Sequence, residues 1–353
     1  MKKFRAALLG CGRVSAFQLH AWSKIEGVQI VALYNRTVEK ARQRALEFGI
    51  PLEHVYADYT ELLRNETLDF VDVATAPQAH REQVEAAAAR GLHVLCQKPA
   101  ASNLDDMRFM MAACQKAGVL FSVNENWRWR SWYREVKALL DRGALGMPRF
   151  MRFTSRRNMT WPTLDGAPPL LVKQPYTAEM DQLLVLEWGT HLLDVARYLL
   201  GDIRHVYARM AKTSPYFKGE DRAVLVLELS GATGLVDISW ATVGDEAAEQ
   251  RSNTMLEHFV IEGDEGVIEV LPEPEALFRL STRRESWEHP VYNTGSLQEA
   301  YQASYTAAQR HFYECLRDGL QPETIASDNI KTLQAVHSAY QSAASGQVVY
   351  LES

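Results

Sequence analysis

In the largely apolar stretch Leu183 to Leu200, three ionisable side chains recur on one stripe: Glu187, His191 and Asp194. Spaced four and three residues apart, they share one face of a helix. Polar groups on such a helix must be paired or face a cleft. An imidazole moves a proton near neutral pH, and a neighbouring carboxylate orients it and stabilises its cation. Glu-x-x-x-His can also chelate a metal, although no further His/Cys cluster accompanies it. A histidine bonded to a core backbone group is the plain alternative. A second candidate is Lys98, between the apolar run Val94 to Cys96 with Gln97 and Pro99. Pro99 holds Lys98 in an extended backbone. Lys98 is either a cation held where cofactor and substrate meet or a surface lysine in a loop.

A third group is Gly10-Cys11-Gly12, which follows the apolar run Phe4 to Leu9 and precedes helical spacing from Val14 to Trp22. In a strand–turn–helix context, the first glycine permits the tight turn and the second lets a pyrophosphate approach the backbone. The helix N-terminus then presents unpaired N–H groups to the phosphates. Ser15 stands where a third glycine is usual and is small enough for close helix–strand packing. NAD(P) is therefore expected over Gly10, Gly12, Arg13 and Val14. Asn35 ends the next apolar run, Val28 to Tyr34, about where an NAD-binding unit carries a ribose-binding carboxylate. That carboxylate is missing, and Arg36 offers a guanidinium suited to phosphate. This tilts the cofactor towards NADP. The alternative is that Asn35 bonds the ribose of NAD and Arg36 is a solvated helix-start residue.

The elements that must position these groups alternate. Strands at Phe4–Leu9, Val28–Tyr34, Val55–Tyr56, Phe70–Ala74, Val94–Cys96 and Leu120–Val123 are separated by helical segments. This predicts an α/β, doubly wound parallel sheet of the Rossmann type over residues 1–123. Ligands of such sheets lie beyond the carboxyl ends of the strands, where Gly10, Asn35, Thr75, Lys98 and Asn124 fall. Residues 124–353 are expected to form an α+β domain with an open, mostly antiparallel sheet, which binds substrate and makes subunit contacts. Trp127, Trp129 and Trp132 interleave with Arg128, Arg130 and Arg134 at the boundary. They line a sugar site, or they form a helix that buries its tryptophans and solvates its arginines. Asn126 and Arg128 follow the strand end directly and are the functional candidates. Asn158 to Met180 is too long for an ordinary connection and reads as an active-site loop, with Trp161, Lys173 and Tyr176 as candidate contacts. The β-rich remainder leaves an apolar sheet face, which predicts a homo-oligomer, a dimer or tetramer, through that face.

A chain of 353 residues with net charge −6 is expected to hold two domains, with no nucleic acid as main partner. No apolar run approaches membrane-spanning length, and the two lysines before Phe4 lack a signal-peptide pattern. The four cysteines form no C-x-x-C pair, which reads as reduced thiols and a cytoplasmic protein.

The glycine turn, Thr75-Ala76-Pro77 with His80 nearby, and Gln97-Lys98-Pro99 together resemble the Gfo/Idh/MocA oxidoreductases. The family motif is Glu-Lys-Pro, so Gln97 departs from it and cannot carry negative charge beside the lysine. The resemblance implies that Lys98 contacts substrate and nicotinamide ribose, and that the peptide bond before Pro99 is often cis. Thr75, Pro77, His80, Gln97 and Asn126 are then cofactor contacts. The family also carries Asp-x-Gly-x-His followed by Asp on the later helix. Gly189, His191 and Asp194 match it, and Glu187 stands where Asp is usual. The resemblance implies that His191 is the proton-transfer residue of a sugar or polyol dehydrogenase; Lys98, Glu187 and His191, with Arg128 from the strand end and Trp161 and Tyr176 from the long loop, are expected to face substrate. Some relatives instead cleave glycosidic bonds with transiently used NAD, and others sense ligands without turnover.

Overall fold

The structure is a computed structural model that describes residues 3–163, 166–243, 256–272, 274–292 and 295–351. The outer limits expected for the domains, residues 1 and 353, lie outside the described residues, as do residues 164 and 165 of the expected loop. The chain divides into two compact units. The first is Met1–Trp129 with Tyr301–Leu333, and the second is Arg130–Ala300 with Gln334–Ser353.

In the first unit the apolar runs form β1 (Phe4–Leu9), β2 (Val28–Tyr34), β3 (Val55–Tyr56), β4 (Phe70–Val73), β5 (His93–Gln97) and β6 (Phe121–Asn124). All pair in parallel, in the order β3-β2-β1-β4-β5-β6. This is the expected Rossmann sheet. Its crossovers include α1 (Ser15–Ser23), α2 (Val38–Phe48), α3 (Tyr59–Asn65), α4 (Pro77–Ala89) and α5 (Leu104–Ala117). Their starts follow local chemistry. Asp58 accepts from the Thr60 amide at 2.8 Å to cap α3, and Asn103 accepts from the Asp106 amide at 2.8 Å to cap α5.

The first domain is expected to close at residue 123, whereas the compact unit runs on to Trp129 and also takes in residues 301–333. The reason is aromatic. Phe312 is buried with Ala6, Trp22, Ile25, Val28, Phe70 and Leu95, and its ring lies 5.4 Å from that of Phe70. A Cβ on Gly27 would lie 1.9 Å from the Tyr313 hydroxyl, so glycine lets that ring lie directly over the turn into β2.

The second unit carries a nine-stranded sheet in the order β14-β13-β12-β11-β7-β10-β9-β8-β15. Its strands are β7 (Pro148–Arg156), β8 (His205–Ala211), β9 (Arg222–Glu228), β10 (Thr233–Ser239), β11 (His258–Gly263), β12 (Gly266–Val270), β13 (Leu277–Thr282), β14 (Ser286–Pro290) and β15 (Val349–Tyr350). Only β7 and β10 pair in parallel; the other pairs are antiparallel, as expected. Strand β9 shows the one-sided burial: Ala223, Leu225 and Leu227 are buried, while Val224 and Val226 are more than 40% exposed. The two edge strands β14 and β15 were not expected. Polar Ser286-Trp287-Glu288-His289-Pro290 and a two-residue strand carry no apolar run to read.

Candidate active site

In the first unit the candidate residues lie at the carboxyl ends of the strands. Gly10 has φ +110°, and a Cβ there would lie 2.6 Å from the backbone of Ala74 and Thr75, so the ends of β1 and β4 approach only through glycine. At Gly12 a Cβ would meet nothing within 4 Å. Helix α1 begins after Arg13 and Val14 with no side-chain cap and no acidic residue in its first turn. The opening beside Gly12 and the uncapped amides fit a dinucleotide pyrophosphate. Ser15, at the third glycine's position, is buried; it donates to the Gly12 carbonyl at 2.5 Å, and its hydroxyl accepts from Arg44 Nε at 3.1 Å. Arg44, on α2, was not expected here. Its charge opposes the burial that pushes the Cys11 thiol up to about 12.

Asn35 is committed at both ends of its carboxamide. Oδ1 accepts from the Cys11 amide at 3.0 Å, and Nδ2 donates to the Thr37 carbonyl at 2.8 Å. It therefore ties the glycine turn to the end of β2, while the adjacent Arg36 is exposed. Thr75 donates to Gln83 at 2.7 Å. Pro77 opens α4 in its first turn. His80 is buried, with its ring nitrogens 3.0 Å from the Thr75 and Ala100 carbonyls. Burial holds its pKa below the ordinary value. His80 thus joins the end of β4 to the segment after β5.

Lys98 lies in that segment, partly buried, and the Lys98–Pro99 peptide bond is cis. The Lys98 amide donates to Gln97 Oε1 at 2.8 Å. Gln97 pairs with Asn124 across β5 and β6. Both are buried; the Gln97 carboxamide faces the buried Tyr305 hydroxyl, and among the described residues both polar atoms of Asn124 have no partner. The Asn124 carboxamide at the sheet's carboxyl edge is thus left with capacity for a polar ligand. Asn126 donates to Ser304 at 2.6 Å.

The Trp/Arg stretch is not one helix with solvated arginines. A 3₁₀ turn, Asn126–Trp129, precedes α6 (Ser131–Asp141). Arg128 and Arg130 are 5% and 1% exposed, so burial replaces solvation. Within the first unit Arg128 donates to the Glu323 carbonyl at 3.1 Å and to Asp328 at 2.6 Å. Within the second, Arg130 pairs with buried Glu257 at 3.2 Å, and Glu257 also accepts from the Tyr133 hydroxyl at 3.0 Å.

In the second unit the candidate residues lie on the helix after residue 183. It begins with a π turn, Val185–Gly189, and continues as α8 (Thr190–Leu200). Plain α-helical spacing therefore does not apply between Glu187 and His191. Thr190 donates to the Leu186 carbonyl at 2.6 Å inside the widened turn. Glu187, His191 and Asp194 are 9%, 5% and 0% exposed. The Trp188 ring lies edge-on to His191 at 6.4 Å and carries the Arg157 guanidinium 4.8 Å from its centre. The expected loop includes α7 (Pro169–Lys173) and a 3₁₀ turn, Pro175–Glu179. Trp161 meets Tyr216 edge-on at 6.5 Å, while Lys173 and Tyr176 are exposed. Asp221 fixes the loop's start, accepting from Thr160 at 3.2 Å and from the Thr213 and Ser214 amides at 2.9 and 2.8 Å. Glu220 and Tyr340, absent from the sequence reading, hold the start of the His191 helix. Among the described residues no three His, Cys, Asp or Glu side chains gather as metal ligands, and no helix is long and apolar enough to cross a membrane.

Residues 4–125 match an oxidoreductase family with an NAD-binding Rossmann fold, Gfo/Idh/MocA, and residues 133–269 match the Gfo/Idh/MocA C-terminal domain. The chain is 39% identical over 357 residues to a D-apiose dehydrogenase of Paraburkholderia graminis, covering 100% of this chain and 91% of that one. It is 35% identical over 361 residues to a D-apiose dehydrogenase of Rhizobium rhizogenes, covering 99% and 98%. A crystal structure of an oxidoreductase from Agrobacterium radiobacter in complex with NAD+, L-tartaric acid and magnesium matches with TM-score 0.90 at 32% identity, covering 99% and 98%.

Proposed function

The chain belongs to the Gfo/Idh/MocA oxidoreductases, and we propose that it oxidises a carbinol of a free sugar, an aldose of the D-apiose type, with NAD(P). The observation that carries this reading is the buried Glu187–His191–Asp194 group on the helix of the second unit, in a chain similar along its whole length to D-apiose dehydrogenases. When bound, NAD(P) supplies a hydride acceptor at nicotinamide C4. His191 takes the hydroxyl proton on oxidation and returns it on reduction. Asp194 or Glu187 orients the imidazole. Lys98 bonds the same oxygen and stabilises the developing alkoxide. Gly10, Gly12, Arg13 and Val14 hold the pyrophosphate, with Thr75, Pro77, Gln97 and Asn126 along the remaining cofactor and His80 bracing the segment that carries Lys98. Trp161, Tyr176 and Arg128 complete the sugar contacts. A cytoplasmic location accords with this reading.

The cofactor lean is towards NADP, because Asn35 supplies no carboxylate and Arg36 is exposed for a 2′-phosphate. One experiment tests chemistry and cofactor together: a panel of aldoses and polyols with each nucleotide, read as absorbance of the reduced nicotinamide. Net reduction with an aldose, and a preference for NADP weakened by Arg36→Ala, is expected. Glycoside cleavage without net reduction, or binding of both ligands without chemistry, would replace the dehydrogenase with a hydrolase or a sensor. A marked preference for NAD unchanged in Arg36→Ala would overturn the NADP lean.

The sheet face bearing Val224 and Val226 is proposed to close a dimer or tetramer. Sedimentation is expected to give an oligomer, and a monomer at micromolar concentration would count against it.

A further inference from the structure

A helix start leaves four backbone N–H groups without intrahelical partners. In the helix that carries His191, every one of the first four is taken up by two residues remote in sequence. Glu220 Oε2 accepts from the Leu183 amide at 3.1 Å, and the Glu220 backbone carbonyl accepts from Leu184 at 3.2 Å. Glu220 Oε1 accepts from Val185 at 2.9 Å. The Tyr340 hydroxyl accepts from Leu186 at 3.1 Å and donates to Glu220 Oε1 at 2.6 Å. The next amide, Glu187, bonds within the helix to the Leu183 carbonyl at 2.8 Å.

The contact is built closely. A Cβ on Gly219 would lie 2.6 Å from Leu183 Cβ and 2.8 Å from the Met180 carbonyl, so the segment carrying Glu220 reaches the helix only because residue 219 is glycine. Glu220 is 8% exposed. Burial raises its carboxyl above the ordinary range, against the hydrogen bonds from Tyr340 and the amides. Burial, then the Glu220 charge, raises the Tyr340 hydroxyl, and the Glu187 charge adds to it.

We propose that Glu220 and Tyr340 are positioning residues for the acid–base group: they fix the height and rotation of the π turn, and through it the placement of Glu187 and His191. The proposal rests on the reading of His191 as the proton-transfer residue. A carboxylate is suited to this place because it accepts two amides at once and its charge faces the positive end of the helix. Between Val185 and Gly189 the π turn replaces the regular α-helical ladder, so the geometry of that one turn depends on what holds its start.

The test compares Tyr340→Phe, Glu220→Gln and Glu220→Ala with wild type and with His191→Ala. In Tyr340→Phe the Leu186 amide loses its acceptor and Glu220 loses a donor, with little change of volume. Turnover on an accepted sugar should fall ~10- to 100-fold, the scale of a small misplacement of a reacting group. Affinity for the nucleotide should be unchanged and KM for the sugar should move far less than kcat. Amide exchange should quicken at residues 183–187 and not across the Rossmann sheet. Glu220→Gln, which keeps one acceptor oxygen, should retain more turnover than Glu220→Ala. Wild-type turnover in Tyr340→Phe with low turnover in His191→Ala would overturn the positioning role alone. Normal turnover in His191→Ala would overturn the proton-transfer reading beneath it. If the Glu220 variants do not fold, the near-isosteric Tyr340→Phe still decides between these results.

Discussion

Turnover of His191→Ala is expected to fall ~100- to 10,000-fold, the usual worth of a positioned acid–base group. Lys98→Ala is expected to lose roughly 100- to 1,000-fold, as when one donor to a developing oxyanion is removed. Both variants should keep their affinity for the nucleotide. Neither loss should resemble unfolding. Lys98 is partly exposed, so truncating it opens no core cavity. His191 is 5% exposed, so His191→Gln is run beside His191→Ala to keep volume and hydrogen bonding while removing the imidazole. Lys98→Arg should not restore the rate, because a planar guanidinium does not reproduce a compact ammonium at one oxygen. Purified variants are compared in nucleotide titration and in steady-state oxidation of an accepted sugar. Near-normal turnover in both Lys98→Ala and His191→Ala would make Glu187, His191 and Asp194 structural residues and remove the assigned chemistry.

What could be read from the sequence is what local signals encode. Strands β1, β2, β4 and β5 are short apolar runs because both faces of a parallel sheet are covered. The glycine turn and Asn35 sit where such runs end, so this edge of the Rossmann sheet follows directly. The hidden features depend on partners distant in the chain. Arg128 reads as a ligand-facing side chain or a solvated helix residue, yet it meets Asp328 200 positions away. Phe312 looks like part of a closing helix, yet it completes the core under β1 and β4. His80 follows a motif and so resembles a cofactor contact, while its ring lies between two backbone carbonyls. The π turn at Val185–Gly189 has the apolar composition of the α-helix around it, and no pattern marks Glu220 as the acceptor for the amides before it.

Asp72 shows the same dependence on distant partners, and it adds a pH-dependent contribution to the stability of the first unit. It lies on β4 with 0% exposure and faces neutral donors: Gln18 Nε2 at 2.9 Å, Trp22 Nε1 at 2.7 Å and Gln309 Nε2 at 3.2 Å. Burial outweighs the Trp22 and Gln309 hydrogen bonds and raises its carboxyl from 3.8 to about 7. Between those two values the folded chain binds a proton that the unfolded chain has released. The stability due to neutral Asp72 is therefore complete below 3.8, declines as pH rises and is gone above about 7. The surroundings suit the neutral form, because among the described residues Gln18 Oε1 and Gln309 Oε1 are buried without partners and either could accept a proton after its amide turns. Asp72→Asn keeps the shape, gives those oxygens an N–H donor and cannot ionise. Its advantage over wild type should be ~2–3 kcal/mol larger at about pH 8 than at about pH 5. Comparing the two chains cancels the opposing histidines: burial lowers the pKa values of His80, His93 and His337, so they destabilise the fold as pH falls. Urea unfolding of both chains across this range is the measurement. Parallel stability curves would show that Asp72 stays ionised in the folded protein throughout, and that these three donors are enough to hold a buried carboxylate.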